Sequence, residues 1–156
     1  MKIKTLTLLA GVLLSLTTVA YAEQKGVYIG AGFGGLSGIN NTAGGIVAGA
    51  DIGYQFTPYN SYQVSGMTGA HSNSWMMVES LFKLPVGKYA TPYLLIGAGY
   101  THLNGNSVGV DIGAGINVNL NPNLSILAQY KFIQAGGSGT PTAGVVSTGV
   151  TYYFGE

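Results

Sequence analysis

Every second residue between Val108 and Leu120 is aliphatic, and the residues between them are glycine, asparagine or aspartate. A period of two is typical of a β-strand, because successive side chains of a strand point to opposite sides. One side of this segment is therefore wholly apolar, whereas the other carries one carboxylate, two amides and three glycines. Such a ribbon can place only one of its two sides against hydrocarbon.

The same alternation recurs along the chain in eight runs, which turn residues separate. Each run is close to the ~9 to 11 residues that a tilted strand needs to cross a bilayer. An even number of antiparallel strands returns the chain to the side where it entered. We therefore predict an all-β fold, an eight-stranded antiparallel up-and-down transmembrane β-barrel. The predicted strands are 25–36, 44–56, 60–70, 74–84, 91–102, 107–120, 123–134 and 143–154.

The composition indicates that lipid, and not water, covers the apolar side. Hydrophobic residues make up 47% of the chain and charged residues only 7%, whereas soluble domains average about 25% charged residues. The alternative is a soluble barrel with its apolar side inward, whose outer surface would consist mostly of Gly, Asn and Ser. Six basic and five acidic residues give no basic patch for nucleic acid. Cysteine is absent, so we expect no disulfide framework and no thiolate metal site.

The first residues have the form of a secretory signal. Two lysines precede an apolar run over residues 6–19, and an Ala-Tyr-Ala sequence at 20–22 has the small-x-small form of a cleavage site. The apolar run is too short for a comfortable membrane-spanning helix, which needs about 20 residues. We predict a signal peptide over residues 1–22 and one barrel domain over residues 23–156.

Five charged residues of the predicted strands fall on the polar side: Asp51, Glu79, Lys83, Asp111 and Lys131. Charges inside a narrow barrel must be paired or hydrated. We predict that these residues form a polar network of ion pairs and hydrogen bonds that plugs the lumen. The alternative is a narrow or gated water-filled passage lined by the same residues.

The last predicted strand resembles an assembly signal of bacterial outer-membrane barrels. From Ser147 it reads STGVTYYF, which matches the polar-x-Gly-x-x-aromatic-x-aromatic pattern of that signal through Gly149, Tyr152 and Phe154. The resemblance implies that the barrel-assembly machinery recognises these residues during insertion.

Four further segments resemble the small opacity-type and OmpA-barrel-like outer-membrane proteins: GVYIGAGFGG, VAGADIGYQFTP, TPYLLIGAGYTHL and NPNLSILAQYKFI. The resemblance covers essentially the whole chain after residue 22. It implies a place in the outer membrane, contact with outer-membrane lipids, and a structural or surface-interaction role such as envelope integrity or adhesion. It identifies no particular surface partner.

A chain that starts in the periplasm would place three predicted connections on that side: 57–59, 85–90 and 121–122. Four would face outward: 37–43, 71–73, 103–106 and 135–142. Aromatic residues cluster near the predicted periplasmic ends of the strands, where an interfacial girdle is expected. The predicted girdle consists of Tyr54, Phe56, Tyr62, Phe82, Tyr93, Tyr152 and Phe154.

Three motifs resemble functional sites but have simpler interpretations. Gly30, Gly32 and Gly35 match G-x-G-x-x-G, yet they fall within a strand instead of opening a helix. His71 and His102 lie on outward connections without a placed carboxylate, which is too little for a metal site. His71 and Ser72 invite comparison with outer-membrane lipid A deacylases, but their spacing differs and no acid stands nearby. A lipid-modifying enzyme is the alternative; we predict no catalytic residue, cofactor or metal.

Overall fold

The computed structural model describes residues 25–40, 42–87, 89–103, 105–136 and 142–155. The strands follow one another in sequence order around a closed barrel, and the first pairs with the last. All pairings are antiparallel, which confirms the predicted eight-stranded up-and-down β-barrel. The strands are β1 (Gly26–Asn40), β2 (Gly45–Thr57), β3 (Asn60–Gly69), β4 (Ser74–Lys83), β5 (Ala90–His102), β6 (Asn106–Asn119), β7 (Leu124–Ala135) and β8 (Thr142–Tyr153). The predicted signal peptide, residues 1–22, lies outside the described residues. Within the described ranges, no helix is long and apolar enough to span a bilayer.

Seven strands begin and end within one residue of the predicted bounds, but β1 is longer than predicted. We expected an outward connection over 37–43, whereas β1 continues to Asn40 and pairs with β8 as far as Thr142. The serine, glycine and asparagine in this stretch are typical turn residues. Here the neighbouring strand supplies ladder partners for them, with one register shift between Gly38 and Asn40. The prediction for this connection was therefore wrong.

The two ends of the barrel are named here by the chain termini. The terminal end is the end where β1 begins and β8 finishes, and the distal end is the opposite one. Connections at the distal end are short: 41–44, 70–73, 103–105 and 136–141. The distal connection between β3 and β4 contains a single 3-10 turn, Ala70–Ser72.

Glycines of the lumen face make room for the large side chains on the neighbouring strands. The directly paired residues are Tyr28 with Gly53, Asp51 with Gly30, Glu79 and Asp111 with Gly97, Tyr93 with Gly115, and Lys131 with Gly113. A Cβ atom at Gly97 would lie 2.7 Å from Glu79 Cγ, and one at Gly113 would lie 3.2 Å from Lys131 Cγ. Because an eight-stranded barrel is just wide enough for side chains to fill, these glycines are what allow the charged and aromatic residues to fit inside.

The outer face is apolar and almost free of charge. Exposed aliphatic residues alternate along every long strand; Ile46 and Val108 are 76% and 73% exposed. Of the Asp, Glu, Lys and Arg residues that the structure describes, only Lys25 lies off the lumen face, just before β1. A surface of this composition is stable against hydrocarbon and unfavourable against water.

The lumen is filled at three levels. The distal apolar cluster comprises Leu36, Val47, Met67, Trp75, Met77, Leu103, Ile133, Ala143 and Val145. The central charged layer comprises Asp51, Gln63, Ser65, Glu79, Asp111 and Lys131. The terminal tyrosine cluster comprises Tyr28, Tyr93 and Tyr153, all less than 5% exposed. We predicted a polar filling only, so the distal apolar cluster is an addition to the prediction.

Candidate functional site in the lumen

The centre of the lumen contains a buried ion pair. Lys131, on β7, donates to Oε1 of Glu79, on β4, across the lumen. Gln63 on β3 donates to the other carboxylate oxygen, Oε2, at 2.5 Å, and Ser65 lies 3.4 Å from Lys131 Nζ. Glu79 and Lys131 are each about 1% exposed. Both oxygens of Glu79 are therefore hydrogen-bonded, as a buried carboxylate requires.

Two further carboxylates lie near this pair. Asp111 Oδ2 is 3.9 Å from Lys131 Nζ, and the Asp111 side chain reaches the lumen beside Glu79, across the shared partner Gly97. Asp51 interacts electrostatically with Lys131 and lies against Gly30. The structure thus brings four of the five predicted network residues into one layer.

Lys83 occupies a separate position nearer the terminal end. Its Nζ donates to Gln55 Oε1 at 2.7 Å and lies 3.4 Å from the Tyr153 hydroxyl. The same atom is 5.3 Å from the ring centroid of Tyr28 and 5.5 Å from that of Tyr153. A cation near two aromatic rings is stabilised by their quadrupoles. Lys83 is therefore held mainly by an amide and two tyrosines.

The neutral partners of these charges were missed by the sequence analysis. Tyr28 connects the two groups, because its hydroxyl donates to Gln63 Oε1 at 2.9 Å while its ring faces Lys83. Gln55 and Gln63 stand on the polar side of their alternating runs, which was the available signal. Which charge each amide would meet depends on barrel closure, and a single strand pattern does not contain that information.

The charged layer places Ser65, Lys131 and Glu79 in one hydrogen-bonded row, but each of these side chains is at most 4% exposed. Covalent catalysis needs a nucleophile with a base and an orienting group in hydrogen-bond reach. In the central charged layer, the ammonium group and the carboxylates lie against one another or against uncharged side chains. No group of three or more His, Cys, Asp or Glu that could hold a metal ion occurs among the described residues.

The distal turn between β3 and β4 presents His71 and Ser72 to the outside. Both have φ near 60°, the left-handed region that favours glycine. Asn73 holds the turn in place, because its Nδ2 donates to the Ala43 carbonyl at 2.8 Å. The carboxylates Asp51, Glu79 and Asp111 face the lumen and do not flank this exposed turn.

The predicted assembly strand pairs into the barrel wall as far as Tyr153, and Phe154 N then donates to the Val27 carbonyl at 2.9 Å. Gly149 faces the lumen, where an added Cβ would lie 2.9 Å from Gly32 Cα. Tyr152 and Phe154 project outward with ring centroids 5.0 Å apart. Asn123 donates through Nδ2 to the Tyr153 carbonyl at 2.9 Å and so fastens this end of the strand. Recognition by the assembly machinery stays a prediction.

Six of the seven predicted girdle residues project outward near the terminal end, but Tyr93 does not. Tyr54, Phe56 and Tyr62 form edge-to-face contacts with centroids 4.7 and 5.6 Å apart. Tyr93 is 4% exposed, and its hydroxyl donates to Gln129 Oε1 in the lumen at 3.0 Å. Its neighbour Leu94 takes the outward position, so the assignment of Tyr93 to the girdle was wrong by one residue in phase.

A family model described as the outer membrane protein beta-barrel domain matches residues 6–154. The chain belongs to this family. No curated protein sequence matches it. The family match and the closed antiparallel barrel agree, and both correspond to the resemblance found in the sequence.

Solved structures of small barrels share the fold at low sequence identity. Neisserial surface protein A matches with a TM-score of 0.69 and 18% identity, over 82% of this chain and 97% of that chain. The N-terminal β-barrel domain of Pseudomonas aeruginosa OprF matches with a TM-score of 0.63 and 18% identity, over 83% and 99%. A de novo designed transmembrane β-barrel matches with a TM-score of 0.56 and 24% identity, over 83% and 98%. Natural and designed proteins thus share this barrel, so the fold alone does not identify an activity.

Proposed function

We propose that this chain is exported to the bacterial outer membrane and acts there as a non-enzymatic integral barrel with a plugged lumen. Its role is structural or lies in contacts at the cell surface. Its partners are outer-membrane lipids around the apolar face and, during insertion, the barrel-assembly machinery. The family match and the uncharged outer face support this proposal.

The distal connections favour a structural role over adhesion. Placing the terminal end in the periplasm, as the sequence analysis expects, puts these connections at the cell surface. They contain between three and six residues each and no Asp, Glu, Lys or Arg. A partner that binds through charge would find no complementary group there. We expect cells without the gene to become more sensitive to detergent, with unchanged attachment to host cells. If cells without the gene lose attachment and keep an intact permeability barrier, adhesion is favoured over a structural role.

The observation that carries the plugged lumen is the complete burial of side chains at successive levels. Met77 and Ile133 in the distal apolar cluster are 0% exposed, and Glu79 and Lys131 below them are 1% exposed. Side chains packed in this way support a lumen closed to water. We expect no steady conductance in planar bilayers, and porin-like conductance would contradict the proposal.

Adjacent residues provide a matched control for the conductance experiment. Trp75 and Met77 face the lumen, whereas Met76 and Val78 face outward on the same strand. We expect Trp75→Ala with Met77→Ala to raise conductance, because the pair removes volume from the distal apolar cluster. Met76→Ala with Val78→Ala should leave the bilayer silent. All samples must first migrate as the folded, heat-modifiable form in gel electrophoresis.

The alternative function is a lipid-modifying enzyme, and the distal turn would then have to supply its catalytic residues. His71 and Ser72 are exposed there, while the carboxylates that could orient a histidine lie within the lumen. We expect mass spectrometry of lipid A to show the same acyl chains in cells with and without the gene. A gene-dependent loss of one acyl chain would replace the non-enzymatic proposal.

A further inference from the structure

The described part of the lumen holds more carboxylates than ammonium groups. The carboxylates are Asp51, Glu79 and Asp111, and the ammonium groups are Lys83 and Lys131. With all five ionised, the lumen would carry a net charge of −1. Asp51 is partly exposed, but Glu79, Asp111 and Lys131 are at most 2% exposed and by themselves also carry a net charge of −1. Burying an uncompensated charge in a region of low dielectric constant is strongly unfavourable. One further positive charge is required for neutrality.

Asp111 is the carboxylate that lacks a partner. It is 2% exposed, and no donor of the protein reaches either of its oxygens. Its carboxyl group lies against that of Glu79, and two carboxyl groups share a hydrogen bond only when one of them carries a proton. The nearest ammonium, Lys131 Nζ, is 3.9 Å away and already donates to Glu79. An ammonium group can serve two carboxylates only if both lie in hydrogen-bond reach. Asp111 is thus an unpartnered anion aimed at the side of Glu79.

The other titratable groups of the lumen do not supply the missing charge. Asp51 on β2 adds a third anion, and Lys83 on β4 is engaged with Gln55 and the tyrosines. The remaining titratable residues are Tyr28 on β1, Tyr93 on β5 and Tyr153 on β8, which are neutral donors. The contributions of β3 are Gln63 and Ser65, which carry no charge.

We propose that the central charged layer takes up one monovalent cation when the barrel folds, at the Asp111 carboxylate beside Glu79. The cation is a proton or an alkali-metal ion, since either neutralises a carboxylate next to a second one. Uptake on folding links the folding equilibrium to the concentration of that cation.

Equilibrium unfolding in urea tests the proposal on the full barrel in lipid vesicles. Trp75 is the only tryptophan of the chain and lies in the distal apolar cluster, so its fluorescence reports the opening of the lumen. One arm varies pH between about 6 and 9. If a proton is taken up on folding, the folding constant falls about tenfold for each unit by which the pH rises. The other arm exchanges choline for sodium at constant ionic strength. If sodium is taken up, the folding constant rises about tenfold per tenfold increase in sodium above its dissociation constant.

Asp111→Asn tests the position of the cation, because asparagine has the shape of the carboxyl group without its charge. We expect this variant to lose whichever dependence the wild-type barrel shows and to fold at least as well at high pH or low sodium. Asp51→Asn is the matched control and should retain the dependence.

Three results would overturn the proposal. The wild-type barrel could depend on neither pH nor sodium, or Asp111→Asn could keep the wild-type dependence. The third is a loss of more than about a hundredfold in the folding constant of Asp111→Asn under all conditions. That loss would identify Asp111 as an ionised partner of Lys131 without an added cation.

Discussion

Lys131 and Glu79 form one ion pair, yet removing either partner should have unequal effects. Lys131 is the ammonium nearest to both Glu79 and Asp111, whereas Glu79 is one of two carboxylates within 3.9 Å of Lys131 Nζ. Lys131→Met leaves Glu79 without its ammonium partner, beside an Asp111 carboxylate whose charge the proposed cation already balances. Glu79→Gln leaves Lys131 with a second carboxylate that a small side-chain movement brings into contact. The lysine variant should therefore be the less stable of the two.

The structure gives the size of this difference. Breaking a buried ion pair costs about 3 to 5 kcal/mol, and we expect Lys131→Met at the upper end. After Glu79→Gln, the attraction between Lys131 and Asp111 at 3.9 Å is about 4 kcal/mol at an effective dielectric constant of about 20. The cost then reduces to the loss of hydrogen bonds to a charged group, about 1 to 3 kcal/mol. We predict that Lys131→Met is less stable by at least about 2 kcal/mol, or at least about 30-fold in the folding constant.

Urea unfolding of the reconstituted barrel, followed by Trp75 fluorescence, measures both free energies of unfolding. The double variant Glu79→Gln with Lys131→Met should be more stable than Lys131→Met alone, because it also removes the carboxylate that Lys131→Met leaves uncompensated. Ile46→Val, at an outward-facing aliphatic position, is the control and should change stability by no more than about 0.5 kcal/mol. Equal losses for the two single variants, or a larger loss for Glu79→Gln, would refute the inferred shortage of positive charge.

Three further predictions concern the outer face, the distal turn and the last strand. Ile112→Lys should cost about 2 to 4 kcal/mol of unfolding free energy at a lipid-facing position, whereas Ile112→Leu should cost no more than about 0.5 kcal/mol; equal tolerance of the two would contradict the assigned sidedness. Ser72→Gly should stabilise the barrel by up to about 1 kcal/mol in urea unfolding, because glycine adopts positive φ without strain; a loss of stability would show that the hydroxyl contributes more. Phe154→Ala should lower the amount of barrel inserted in cells, while the refolded protein keeps its heat-modifiable form. Normal insertion would remove Phe154 from the assembly signal.

Strand positions were predictable because two local signals coincide in this chain. Alternation identifies each strand, and turn residues identify its ends. The two signals disagree from Ser37 to Asn40, where residues typical of turns continue β1 and pair with β8. Only the presence of a partner strand distinguishes these residues from a loop. The side on which Tyr93 lies could not be predicted from local sequence either, because its neighbours are also apolar. The structure places Leu94 and Ile96 on the outer face, which puts Tyr93 in the lumen.

The lumen was predictable in composition but not in its pairings. The alternating pattern placed all five charges inside, and the structure places them there too. Trp75, Met77 and Ile133 alternate in step with the inward-facing charges. The pattern therefore already contained the distal apolar cluster, as apolar residues on the otherwise polar side of the strands. Contacts such as Lys83 with Tyr153 join residues 70 positions apart. They depend on how the strands are staggered when the barrel closes, a property of the whole sheet.

Lipid outside the barrel changes where the specificity of this fold resides. In water, an apolar core would supply both the driving force and the selection of one packing; here the outer face meets hydrocarbon and tolerates many aliphatic residues of similar size. Selection therefore falls on the lumen, where Gly97 must accommodate Glu79 and Asp111, and Gly113 must accommodate Lys131. Substituting alanine at either glycine should be more damaging than exchanging any outward aliphatic residue for another. A barrel whose lumen is packed in this way has little freedom to evolve a passage, since opening one requires several complementary changes at once.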